Sequence, residues 1–251
     1  MRELPRITKN LLLANVVVFF IDALLQRYGI DLTRLAGLHY VLADQFYIWQ
    51  PLTYMFMHAN FTHLFCNMFA VLMFGPVLER EWGERRFLIY YMVCGIGAAI
   101  VQEAVWSLQM LNELQSLPMD YLRVLTNRFC TIGASGAVFG ILFAFGWLFP
   151  TIPMFILFIP IPIKARTLVI LYAAVELFAG LGSMSGLTSD NVAHFAHLGG
   201  LLFGWLLLLW WRYKDDNQPT FKIHFPRRDK KDDESRGKDF SNYHYHKNVD
   251  K

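Results

Sequence analysis

Charge is scarce in this chain, and much of it gathers in the C-terminal tail. Only 17% of the 251 residues are Asp, Glu, Lys or Arg, whereas 55% are hydrophobic, and mean hydropathy is +0.33. That shortage excludes an ordinary soluble domain. The net charge of +3 is too small to argue for a nucleic-acid partner. Cysteine is also rare. Cys66, Cys94 and Cys130 lie in or beside apolar stretches without metal-like spacing, which excludes a disulfide framework and reads as small buried hydrophobes. No small-x-small cleavage site ends the first apolar block, which follows Arg2, Arg6 and Lys9, so it reads as a retained span. No obvious internal repeat and no midplane charge pathway beyond Glu176 argue for a transporter. No cofactor and no metal are expected.

What is present comes in blocks. Six apolar segments run over roughly 10–28, 58–79, 86–107, 135–150, 167–183 and 192–212. The fold class predicted is an all-α polytopic membrane bundle of six spans. Its domain plan is a short cytoplasmic segment at 1–9, a six-span domain at 10–212 and a polar, disordered cytoplasmic tail at 213–251. Residues Leu32 to Tyr54 read as an interfacial loop, and Ser107 to Phe129 as a second outer loop. Pro150, Pro153, Pro160 and Pro162 prevent a regular helix between the fourth and fifth segments, which should lie along the membrane surface. With both termini cytoplasmic, only Arg27, Arg34, Arg123 and Arg128 fall outside, as the positive-inside tendency demands.

That orientation gathers the reactive residues at one level. Ser135 stands between Gly133 and Gly136 where polar residues give way to an apolar helix, near unpaired N–H groups and the positive end of the dipole. A serine among glycines also suits simple helix packing, so the stretch alone decides nothing. The fourth segment runs inward from Ser135, while His194 and His197 lie near the outer end of the sixth. His58, His63 and Asn67 enter the second from the same side. On the sixth helix Gly200 and Gly204 follow His197 on one stripe, with His194 about 60° to its side. Gly136 and Gly140 form a matching pair on the fourth. Two such stripes in contact would bring the serine hydroxyl to the imidazole, with Phe139 one turn below Ser135 as a ring to rest on. His63 and Asn67, one turn apart, point the same way as donors. Asp190 reads as a solvated loop acid and His244-x-His246 as incidental; for Glu176 both a neutral, hydrogen-bonded state and a place on a wet cavity stay open.

Taken together these residues resemble the rhomboid family of intramembrane serine proteases. The likeness rests on Gly133-Ala134-Ser135-Gly136, His197-x-x-Gly200-x-x-x-Gly204, His58-x-x-x-x-His63-x-x-x-Asn67 and Gly75-x-x-x-Glu79-x-x-x-Gly83. It implies a serine endopeptidase with a Ser135–His197 dyad lacking a third acidic member. His63, Asn67 and the Ser135 N–H would form the oxyanion site, and Gly133, Gly136, Phe139, Gly200, Gly204 and His58 would support it. The substrate would be a transmembrane helix entering from the bilayer near the fifth span and the loop Gly182 to Asn191. A bacterial inner membrane, with the site on the extracytoplasmic side, would be its setting. Two departures stand out. Trp49-Gln50 replaces the usual Trp-Arg, and Phe139 stands where many members carry Tyr. The alternative is a catalytically silent rhomboid-like binding or quality-control factor, which would keep the fold and lose the dyad.

Overall fold

The computed structural model describes residues 3–111, 117–156, 159–184 and 193–216. Helix α1 (Arg6–Gln26) leads into an outer segment containing α2 (Thr33–Ala36), strand β1 (Leu38–His39), α3 (Gln50–Thr53) and a 3-10 turn (Tyr54–Phe56). Then come α4 (Phe61–Trp82), α5 (Glu84–Met110), α6 (Met119–Thr126), β2 (Cys130–Thr131) and α7 (Ser135–Leu148). A hairpin of β3 (Pro153–Ile156) and β4 (Ile159–Lys164) precedes α8 (Ala165–Met184) and α9 (His194–Asp216). Five of these helices are long and apolar enough to cross a membrane, and α7 is a shorter apolar helix. The protein is an integral multi-pass, all-α bundle whose only described strands form two small two-stranded sheets.

Helix α5 is the axis, packed against α9, α7 and α4. Its Phe87, Tyr90, Tyr91, Cys94 and Ala98 are fully buried. Buried tyrosine hydroxyls need acceptors, and two find them in the backbone of neighbouring helices. Tyr54 donates to the Gly95 carbonyl at 2.7 Å and Tyr90 to that of Gly140 at 2.9 Å. Helices α4 and α5 are joined by Gly83 alone, whose φ of 81° turns the chain as few other residues allow. One turn earlier, Glu79 reaches across to the start of α1. It accepts from the N–H groups of Ile7 and Thr8 and from the Thr8 hydroxyl, at 2.7 to 2.8 Å. A helix start has orphan N–H groups, and α1 has no cap of its own. The acid of the Gly75–Glu79–Gly83 pattern supplies it.

The outer segment is more ordered than a loop lying on an interface. Leu38, Tyr40, Gln50, Tyr54 and Met55 are buried. Gln50 ties the segment internally, accepting from the His39 N–H at 3.2 Å and donating to the Gln45 carbonyl at 2.7 Å. Asp44 holds the far loop through Arg123 at 3.0 Å and Asn127 at 3.0 Å, and those bonds keep its carboxyl below the usual range. Most important for the site, β1 pairs antiparallel with β2, Leu38 opposite Thr131 and His39 opposite Cys130.

The stretch between the fourth and fifth segments is not a regular helix, as its prolines require, and strands β3 and β4 pair there as an antiparallel hairpin. Two other expectations change. Helix α9 continues through Asp216, over the first residues assigned to the tail. Of the cysteines only Cys94 is buried; Cys66 and Cys130 are exposed. Residues 112–116 of the second outer segment, residues 185–192 with Asp190, and those from 217 with His244 and His246 lie outside the described residues.

Candidate active site

Ser135 is the first residue of α7, and no side chain caps that helix start. The N–H groups of its first turn therefore remain available beside the serine. The approach to it is set by Gly133, whose φ of 128° is a backbone state that side-chain-bearing residues rarely adopt. Its N–H donates to the Tyr54 carbonyl at 2.9 Å. The strand pairing at residues 130–131 and this bond brace the serine against the outer segment.

His197 lies in the first turn of α9, buried. Its Nε2 is 2.8 Å from Ser135 Oγ. The imidazole lies flat on Phe139, with ring centroids 4.4 Å apart and planes 8° from parallel. The approach of α9 to α7 depends on Gly200, where a Cβ would run into the Gly136 carbonyl. Gly136 itself faces Ala98 of α5, and Gly140 faces Cys94 with the Gly200 carbonyl beyond. Gly204 departs from the expected stripe contact. A Cβ there would meet Tyr90 and Cys94 of α5 rather than α7.

His63 also stands near the serine, across Gly133. A Cβ at Gly133 would meet its Nε2 and Cε1 at 2.7 Å, and would lie 3.7 Å from Ser135 Oγ. The His63 N–H donates to the Asn60 side chain at 2.9 Å, which starts α4 and fixes the ring's entry. Asn67 is buried one turn on, with one amide proton donated to the His63 carbonyl at 3.0 Å; the second proton of that amide is not needed there. His58 packs edge-on to His63, centroids 5.0 Å apart. Burial, and secondarily His63, pushes the His58 imidazole down to about 4, so it is neutral at neutral pH.

The sequence left Glu176 open between a hydrogen-bonded state and a wet cavity, and its partners appear only in the fold. Glu176 of α8 brings Oε2 to 2.9 Å from His197 Nδ1 and 2.7 Å from His194 Nδ1. The His194 contact is an aligned hydrogen bond, whereas for His197 the oxygen stands off the N–H axis. A signal did exist, in a carboxylate within an apolar helix, which is costly without a partner. The partner was not legible because it lies on another helix. Donor atoms of Glu176, His194 and His197 lie within 4.8 Å of one another, as in a metal ligand set. Tetrahedral ligands about 2.0–2.2 Å from zinc, however, stand roughly 3.3–3.5 Å apart. The 2.7 and 2.9 Å separations are shorter than that, and the one to His194 is an N–H···O hydrogen bond.

A family model described as the Rhomboid domain matches residues 45–214. The chain is 32% identical over 162 residues to YdcA of Bacillus subtilis (strain 168), covering 63% of this chain and 65% of that protein. It is 30% identical over 212 residues to the rhomboid protease AarA of Providencia stuartii, covering 80% and 70%. With the chloroplastic Rhomboid-like protein 11 of Arabidopsis thaliana it shares 29% over 208 residues, covering 80% and 63%. The chain thus spans less than two thirds of the length of YdcA and of the Arabidopsis protein.

Proposed function

Starting from the fact that the chain belongs to the rhomboid family, we propose that it is an intramembrane serine endopeptidase hydrolysing peptide bonds in or near transmembrane helices. The observation that carries this reading is the 2.8 Å contact between His197 Nε2 and Ser135 Oγ, at the start of a helix sunk in an apolar bundle. His197 takes the hydroxyl proton as Ser135 attacks the substrate carbonyl, and returns it to the leaving amine. The tetrahedral oxyanion is met by the Ser135 N–H with the His63 and Asn67 side chains. Gly133 leaves room for the substrate chain, which suits a small side chain before the cut. The substrate must be locally unwound, since helical carbonyls are already engaged.

In this reading the six-span core is residues 10–212, both termini are cytoplasmic and Ser135 faces the extracytoplasmic side of a bacterial inner membrane; the excess of Lys and Arg on the inner side supports it. Sideways entry of the substrate is supported by α8, where only Ala165, Leu168 and Gly180 are buried among the described side chains. The pairing of Ser135 with His197 counts against a catalytically silent rhomboid-like factor.

The test is labelling with a serine-directed fluorophosphonate and cleavage of a transmembrane-helix substrate in proteoliposomes. Parent protein should label at Ser135 and cleave; Ser135→Ala and His197→Ala should do neither. Cleavage by Ser135→Ala at the parent rate would overturn the assignment.

A further inference from the structure

A carboxylate in a membrane-spanning helix is expensive unless it is paired. Glu176 is nearly buried, and the contacts described for it are the Nδ1 atoms of His194 and His197. Its neighbours on α8 are largely exposed apolar residues, Val175, Leu177 and Phe178 among them. The one polar group of that stretch therefore points at the imidazole that touches the serine.

We propose that Glu176 is a positioning residue for His197, forming a Ser135–His197–Glu176 line across α7, α9 and α8; this rests on the protease reading above. The chemistry follows from the two ring nitrogens. A neutral imidazole carries one proton, and the nitrogen that holds it is set by the partner of the other nitrogen. A carboxylate only accepts, so Glu176 retains the proton on Nδ1 and leaves Nε2 bare toward the Ser135 hydroxyl. On attack, the Ser135 O–H bond breaks and its proton passes to Nε2 as the Oγ–carbon bond forms. Glu176 keeps its charge and faces the imidazolium. On collapse the proton leaves with the amine, and Nδ1–H never transfers. His194 donates to the same Oε2 at 2.7 Å, and thereby fixes the carboxylate in place. Phe139 restrains the tilt of the ring, whereas Glu176 sets its tautomer and its rotation in plane. The Nδ1–H of His197 is not aligned on Glu176 Oε2 in the resting protein, and substrate engagement would bring it into line, as catalytic hydrogen bonds tighten in the bound complex.

The decisive variant is Glu176→Gln, which keeps volume and offers an amide that donates as well as accepts. The full chain in lipid nanodiscs, with 15N-labelled histidine, should show His197 protonated at Nδ1 and bare at Nε2; the variant should lose that preference. On a transmembrane-helix substrate, kcat should fall at least about tenfold with KM within about twofold, at an unchanged thermal midpoint. His194→Ala, which removes one donor to Glu176 but keeps its carboxylate beside His197, should retain more activity than Glu176→Gln. An unchanged tautomer in Glu176→Gln, or kcat at the parent level, would overturn the proposal. If the parent itself fails to cleave, the protease reading falls, and the 15N spectra still decide the contact by themselves.

Discussion

Gly200 lies against the Gly136 carbonyl so closely that a single methyl group at 200 would overlap that oxygen. The obstacle is backbone, so no side chain could rotate out of the way. Gly200→Ala must push α9 away from α7, and Ser135 and His197 move apart with them. Overpacking of this kind costs about 1–3 kcal/mol. The expected outcome is a lower thermal midpoint in detergent together with loss of fluorophosphonate labelling. Full labelling would mean that the dyad survives the displacement.

Phe139 supplies the surface on which the imidazole rests. Phe139→Leu removes the flat face and keeps the apolar bulk, so the ring gains freedom while the fold persists. Cleavage kinetics should show kcat reduced about tenfold with KM little changed, as expected when alignment rather than binding is lost. Phe139→Tyr should stay near the parent rate, since the ring face is retained. A fall in kcat as large for Tyr as for Leu would contradict the stacking role.

Glu79 has a task far from the chemistry. Its buried carboxylate serves three donors at the start of α1. Glu79→Ala leaves the Ile7 and Thr8 N–H groups unpaired, which should lower stability by about 2 kcal/mol. Thermal denaturation would measure that loss. Among molecules still folded, kcat should match the parent, because α1 does not contribute to the dyad.

His58 predicts a pH effect on stability. Its imidazole titrates near 4 in the folded protein against an ordinary 6.5, owing first to burial and then to His63. The unfolded chain therefore binds more protons than the folded one between those values. The neutral ring's contribution is complete above 6.5 and is lost as pH falls from 6.5 toward 4. Melting curves should show His58→Phe with a shallower decline of thermal midpoint than the parent between pH 6.5 and 4.5. Parallel declines would show that His58 does not carry the effect.

The helices were legible because their signal is local. Apolar runs long enough to span, prolines that end them and glycines at helical spacing all lie within one segment. The stripe of His197 and Gly200 fell on the face that meets α7, since 100° per residue is a property of the backbone. The outer segment 32–54 reads as an interfacial loop in sequence because its order comes from afar. Gln50 holds its own loop together, but β1 finds its partner at Cys130 and Thr131, some ninety residues on. No periodicity at Leu38 announces that pairing.

The sequence by itself determined which groups could do chemistry and on which helix ends they stand, because residue type, spacing and helix length are local quantities. Ser135, His197, His63 and Asn67 all fall in the first two turns of three helices. Tertiary structure decided which of them touch, and what else joins them. Glu176 sits on a helix whose rotation and approach depend on packing against α7 and α9, and an error of one residue in that rotation would turn its carboxylate by about 100°. A contact 2.9 Å long between α8 and α9 is therefore set only when all the helices have packed. The same holds for Glu79, whose ligands lie about seventy residues earlier in the chain.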